Sequence, residues 1–259
     1  MTPESNGRRG PNGVATWAFE RYVRREFARH FASVRWSTLT DPATWDRAVP
    51  TLGIANHTNW WDGFFALLLG RAFGLAPHLL MDAVQLSRYR AFRRFGALPV
   101  RRDHPRAAYA DLLAAGAQLR PGRVLWIFPS GSRRPEGERP ARFERGAAHL
   151  ALGQLGVVRV SSVALRYVYL GEQLPEAFAL VGRPLLVAPG DPRAGRRALT
   201  IEIERHLCET LDALDALLRA EALGGFQVLV RGRLSINKRM DRVRHAAGLL
   251  KGPFEARNG

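Results

Sequence analysis

Two spacings of apolar residues divide this chain into elements. Between Val14 and Trp36, Phe19, Val23, Phe27 and Phe31 recur at helical spacing with Val34 close by. Arg21, Arg24, Arg25, Arg29 and Arg35 fill much of the rest, which predicts an amphipathic helix over 14–36. Thr51–Ala55 (TLGIA) is a short apolar run suited to a buried strand, and a helix is expected from Trp60 to about Phe73. Leu79–Met81 reads as a further strand, and Phe95–Val100 leads into Arg101 and Arg102. Pro105 suits the first turn of a helix that runs to about Leu119 and stops at Pro121-Gly122. Val124–Phe128 is another buried strand, Gly146–Leu155 a helix and Val160–Tyr169 a strand. Phe178–Val181 and Leu185–Val187 add strand, and Ala198–Ala222 is a long helix with Leu207, Leu211, Leu214 and Leu218 on one stripe. Alternating strands and helices predict a single α/β domain whose central sheet is largely parallel and flanked by helices. The layout is a disordered polar tail at 1–13, the amphipathic helix at 14–36, the main domain at 37–233 and a basic segment at 234–259.

Composition narrows the partners. The 259 residues, 46% hydrophobic, suffice for one sizeable core. The net charge of +16 comes almost wholly from arginine, since Lys238 and Lys251 are the only lysines. Such a balance suits a lipid surface, a nucleic acid or a phosphorylated substrate; a plain bias toward Arg and Ala is the blander account. The RNA-binding and helical DNA-binding motifs are absent, so no nucleic-acid partner is expected. A single cysteine, Cys208, excludes an intramolecular disulfide and a Cys-based metal cluster; beside the leucine stripe it reads as a packed thiol. No run reaches the length of a membrane span, and no apolar signal core follows the first basic pair. The expectation is a peripheral protein on the cytoplasmic face of an anionic membrane. The 14–36 helix, rich in arginine and aromatic residues, would dock there, or would pack its stripe on the core.

The candidate chemistry begins at NHTNWWDG, residues 56–63. On one continuous helix His57 and Asp62 would point ~140° apart. They meet only if His57 lies in a turn at the carboxyl end of the TLGIA strand and Asp62 in the first helical turn. Asn59 as N-cap would make Asp62 the third helical residue. Taken alone, Asp62 is equally a capping acid that offsets the helix dipole, and His57 a turn residue. As a pair, the carboxylate holds one imidazole nitrogen and frees the other to take a proton from an attacking alcohol. Of Trp60 and Trp61, one is expected to pack and the other to line an apolar entrance.

Three further segments share their order with this one. NHTNWWD at 56–62, GALPVRR at 96–102, FPSGSRR at 128–134, and VSSVAL at 160–165 followed by GRPLL at 182–186 resemble the ordered motifs of the glycerolipid acyltransferase family. The best-known members of that family are the 1-acyl-glycerol-3-phosphate acyltransferases. The resemblance spans roughly 52–190. It implies acyl transfer from acyl-CoA or acyl-carrier protein, as co-substrate, to the hydroxyl of a lipid acceptor. His57 would be the general base and Asp62 its orienter, with Arg102, Ser130, Gly131, Ser132 and Arg133 at the acceptor. No cofactor and no metal are implied. Two positions depart from the pattern: Ser130 replaces the family glutamate and Ser162 stands where proline is usual. A serine cannot supply a carboxylate. The acceptor is then a non-phosphorylated lipid alcohol such as a glycolipid or a carotenoid glycoside, or a lysophospholipid held through water, or the enzyme is weakened.

Other classes remain. A serine hydrolase would recruit Ser130 or Ser132 to the His–Asp pair, but no G-x-S-x-G elbow is present. A non-catalytic membrane-binding relative would bind anionic vesicles and transfer nothing.

Overall fold

The computed structural model describes residues 13–42, 45–135, 139, 143–171 and 173–233. The basic segment expected at 234–259 and nearly all of the tail expected at 1–13 lie outside these residues. Among the described residues, six helices flank one eight-stranded sheet of order β4-β3-β5-β2-β6-β7-β1-β8. The strands are β1 (Ser33–Thr38), β2 (Thr51–Ala55), β3 (Ala76–Asp82), β4 (Ala97–Val100), β5 (Arg123–Ile127), β6 (Val158–Val168), β7 (Glu176–Val187) and β8 (Gln227–Arg231). The helices are α1 (Gly13–His30), α2 (Asp62–Ala72), α3 (Ala83–Arg88), α4 (Pro105–Gly116), α5 (Gly146–Leu152) and α6 (Pro192–Arg219). Every pair from β4 to β6 is parallel, as is β1 with β7; β6–β7 and β1–β8 are antiparallel. The expected α/β fold with a largely parallel sheet is the one found.

The period-two rule of a strand sorts the core onto two faces. Leu52 and Ile54 of β2 join Leu125 and Ile127 of β5 under α5 and α6, where Leu207, Leu211, Leu214 and Leu218 form the predicted stripe. Ala55, Val124 and Trp126 face the other way, toward α1 and α2. Between them Gly53 is sterically required, because a Cβ there would stand 2.3 Å from the Trp126 ring.

The helix expected over 14–36 ends at His30, and Val34 and Trp36 belong to β1. Ser33–Thr38 pairs with β7 on one side and β8 on the other, and these interstrand bonds override the helical spacing of the apolar residues. The stripe itself faces inward: Val23, Phe27 and Phe31 are buried in the second core cluster, and Phe19 stacks on Phe95 at 3.7 Å. The two strand segments expected at 178–181 and 185–187 are one continuous strand, β7. A short α3, a 3₁₀ segment at Arg90–Phe95 and the edge strand β8 were not expected from the pattern. Among the described residues no helix is long and apolar enough to cross a membrane.

A buried polar clasp fixes β1 to β7. Arg35 lies 3.4 Å from Glu176, and Ser33 Oγ donates to Glu176 at 2.6 Å while accepting from Arg35 Nε at 2.9 Å. Glu176→Ala leaves a buried guanidinium uncompensated, so unfolding in urea is expected to show a loss of about 3–5 kcal/mol. A change below about 1 kcal/mol would mean that water takes over the carboxylate's role.

Candidate active site

The parallel strands deliver their following residues to one edge of the sheet, where open α/β sheets hold ligands. His57 follows β2, Arg101 and Arg102 follow β4, and the 128–134 loop follows β5. His57 Nδ1 lies 2.8 Å from Asp62 Oδ2. The same oxygen accepts the Thr58 and Asn59 N–H groups, each at 2.8 Å. Tyr167 Oη donates to the other carboxylate oxygen at 2.7 Å. Asp62 is 0% exposed, so its side chain is satisfied entirely by these donors. Because a carboxylate only accepts, the neutral His57 ring that fits this contact carries its proton on Nδ1 and its lone pair on Nε2. The ring is held flat by Phe128, with centroids 4.5 Å apart.

Asp62 opens α2; it is its first residue and not its third. Asn59 does not cap the helix directly: its Oδ1 accepts from Trp61 N–H at 3.3 Å, one residue too early. The reason is Asp62 itself, whose carboxylate captures the Thr58 and Asn59 N–H groups and tightens the turn ahead of the helix. Asn56 anchors the turn from below. Its amide donates to Leu165 O at 3.0 Å and accepts from Leu165 N at 2.7 Å, extending the β2–β6 ladder by a side chain.

The other predicted residues divide. Arg101 is taken by Asp111, with contacts of 2.8 and 2.6 Å that hold the Asp111 carboxyl below its usual range and raise the guanidinium. Arg102 is exposed and reaches the other way, donating to Gly131 O. Gly131 adopts a φ of +69°, a backbone conformation that favours glycine. Arg134 N–H donates to His57 O at 2.8 Å, which ties this loop to the His57 turn. Ser132 and Arg133 are exposed at its rim. Ser130 donates to Ser132 O at 2.9 Å, within its own turn and not toward His57. Ser162 lies where the β6–β7 register shifts, and on its other side it pairs with Ile54 of β2. Gly182 packs under α6, where a Cβ would stand 2.2 Å from Thr210 Oγ1. Trp61 packs against Phe27 and Phe31, whereas Trp60 is 56% exposed beside Phe64. Cys208 is half-buried away from this edge, and burial pushes its thiol up.

The acyltransferase family model matches residues 38–164, the span that contains the His57–Asp62 pair, Arg102 and the 128–134 loop. This stretch belongs to the acyltransferase family. The chain is also similar in fold to the 1-acyl-sn-glycerophosphate (LPA) acyltransferase PlsC of Thermotoga maritima. The TM-score is 0.57 at 17% identity, over 79% of this chain and 81% of that one. No curated protein matches the chain.

Two members of the site escape the motif pattern. Asn56 adjoins His57 but gives no sign in sequence that its amide pairs with Leu165. Tyr167 lies 105 residues from Asp62, inside what reads only as a half-buried strand. Tyr167→Phe removes one hydrogen bond to the buried carboxylate, a contact worth about 1.5–3 kcal/mol. The expected result is a fall in kcat of about tenfold with the acceptor KM unchanged, alongside a thermal midpoint lowered by several degrees. An unchanged kcat would exclude Tyr167 as a positioning residue.

Proposed function

We propose that this acyltransferase moves a fatty acyl group from a thioester donor, acyl-CoA or acyl-carrier protein, to a hydroxyl of a lysophospholipid or related glycerolipid. The observation that carries the reading is the His57–Asp62 pair, with Nδ1 committed to the carboxylate at 2.8 Å. His57 Nε2 takes the proton of the acceptor hydroxyl as its oxygen attacks the thioester carbonyl carbon. The tetrahedral intermediate then collapses: the C–S bond breaks, and the imidazolium returns its proton to the leaving thiolate. The products are an ester and a free thiol, and no acyl-enzyme forms. Backbone N–H groups of the 128–134 loop supply the stabilisation of the oxyanion. Arg102, Ser130, Gly131, Ser132 and Arg133 line the acceptor side. A serine hydrolase is disfavoured by the Ser130 hydroxyl, which donates to Ser132 O.

The test is a mass-spectrometric acceptor screen with acyl-CoA and a panel of lysophosphatidic acid, other lysophospholipids and glycolipid alcohols. His57→Ala is expected to abolish product, a loss of at least about a thousandfold, while leaving the thermal midpoint in place. Near-full activity in that variant would refute the mechanism.

Membrane docking belongs to the same reading, with its residues revised. Since Val23, Phe27 and Phe31 are spent on the core, the anchors are the outward Trp17 and Tyr22, 55% and 54% exposed, together with Trp60 and the exposed Arg21, Arg25 and Arg29. Deleting 1–36 would also remove most of β1, so it cannot test docking. Trp17→Ala with Tyr22→Ala is expected to weaken binding to phosphatidylglycerol-containing vesicles by about tenfold or more. Turnover of a short, water-soluble acceptor should persist. Unchanged vesicle binding would remove α1 from the docking surface.

A further inference from the structure

A carboxylate that the motifs do not include stands at the acceptor side of this site. Glu144, two residues ahead of α5, donates its N–H to Pro129 O at 2.8 Å, which pins it against the Ser130–Arg133 turn. A Cβ placed on Gly131 would stand 2.7 Å from Arg102 Nη2 and 3.4 Å from Glu144 Cγ. One guanidinium and one carboxylate-bearing side chain therefore converge over the same glycine. Both residues are exposed, and among the described residues Glu144 forms no ion pair, with Arg102 or with any other. Ser130, where a motif carboxylate is expected, turns its hydroxyl into its own loop. Glu144 thus brings a carboxylate to this turn from the opposite flank.

An ionised carboxylate only accepts hydrogen bonds, so its ligand must donate. The reacting hydroxyl gives its proton to His57, so the donor to Glu144 is a second one. We propose that Glu144 reads the acceptor headgroup: its carboxylate accepts from a non-reacting hydroxyl while Arg102 holds the neighbouring oxygen atoms. The site then favours lipids with a glycerol or sugar headgroup over a bare phosphate monoester, whose charge Glu144 repels. This inference rests on the acyl-transfer reading and deepens it.

The experiment compares two acceptors of equal chain length with the full-length protein and acyl-CoA. Lysophosphatidylglycerol carries a headgroup diol; lysophosphatidic acid has no hydroxyl besides the reacting one. The wild-type protein is expected to favour the diol in kcat/KM by about tenfold or more, as sites built to bond a hydroxyl reject analogues lacking it. In Glu144→Ala the preference should collapse toward unity through the acceptor KM, with the acyl-CoA KM unchanged. Ser130→Glu in that background should restore part of it from the same turn. A wild-type preference for lysophosphatidic acid, or a preference untouched by Glu144→Ala, overturns the assignment. If the wild type acylates neither lipid, the acyl-transfer reading fails for these acceptors, and binding decides Glu144 by itself. Weaker binding of dispersed lysophosphatidylglycerol by Glu144→Ala supports it, and equal binding overturns it.

Discussion

The site is organised by one buried carboxylate. Asp62 receives the imidazole of His57, two N–H groups of the turn between them and the hydroxyl of Tyr167. An unpartnered charge at that depth would be costly, so the His57 turn, the start of α2 and the end of β6 are each held to it. The sheet supplies the rigidity: β2 lies between β5 and β6, and Asn56 stitches the turn to Leu165. The His57 ring is therefore oriented by the fold itself, the preorganisation that the proposed role as general base requires.

Much of this arrangement was legible in the sequence where local rules and tertiary structure agree. TLGIA is apolar and flanked by a turn, so it is a strand. The leucines of 207–218 repeat with the helix, so they face the core. The His57–Asp62 contact followed from requiring a turn between the two residues. Failures came where long-range pairing decides. Ser33–Trp36 reads as helix because Phe31 and Val34 extend the spacing, yet β7 and β8 claim its backbone. Tyr167 looks like any aromatic residue on a half-buried strand until β6 is laid beside β2. Glu144 lies among arginines in a loop, and only the fold brings it to Gly131.

Adjacent arginines illustrate the same limit. Arg101 and Arg102 are equivalent in composition and one position apart. At the end of a strand, successive side chains leave on opposite sides, so Asp111 captures the first and the second turns to the site. The positive charge of the whole chain says little about which arginine meets a ligand. The local pairing of each one says more, and the aromatic residues of α1 divide in the same way between core and surface.

The central claim is that Asp62 holds His57 with its proton on Nδ1 and Nε2 bare toward the acceptor. Nitrogen-15 NMR of the imidazole, recorded on the neutral ring, tests this most directly. The account predicts an Nδ1–H tautomer in the wild-type protein, with that proton strongly deshielded, and loss of this signature in Asp62→Ala. An Nε2–H tautomer in the wild type, or an unchanged spectrum in Asp62→Ala, would contradict it.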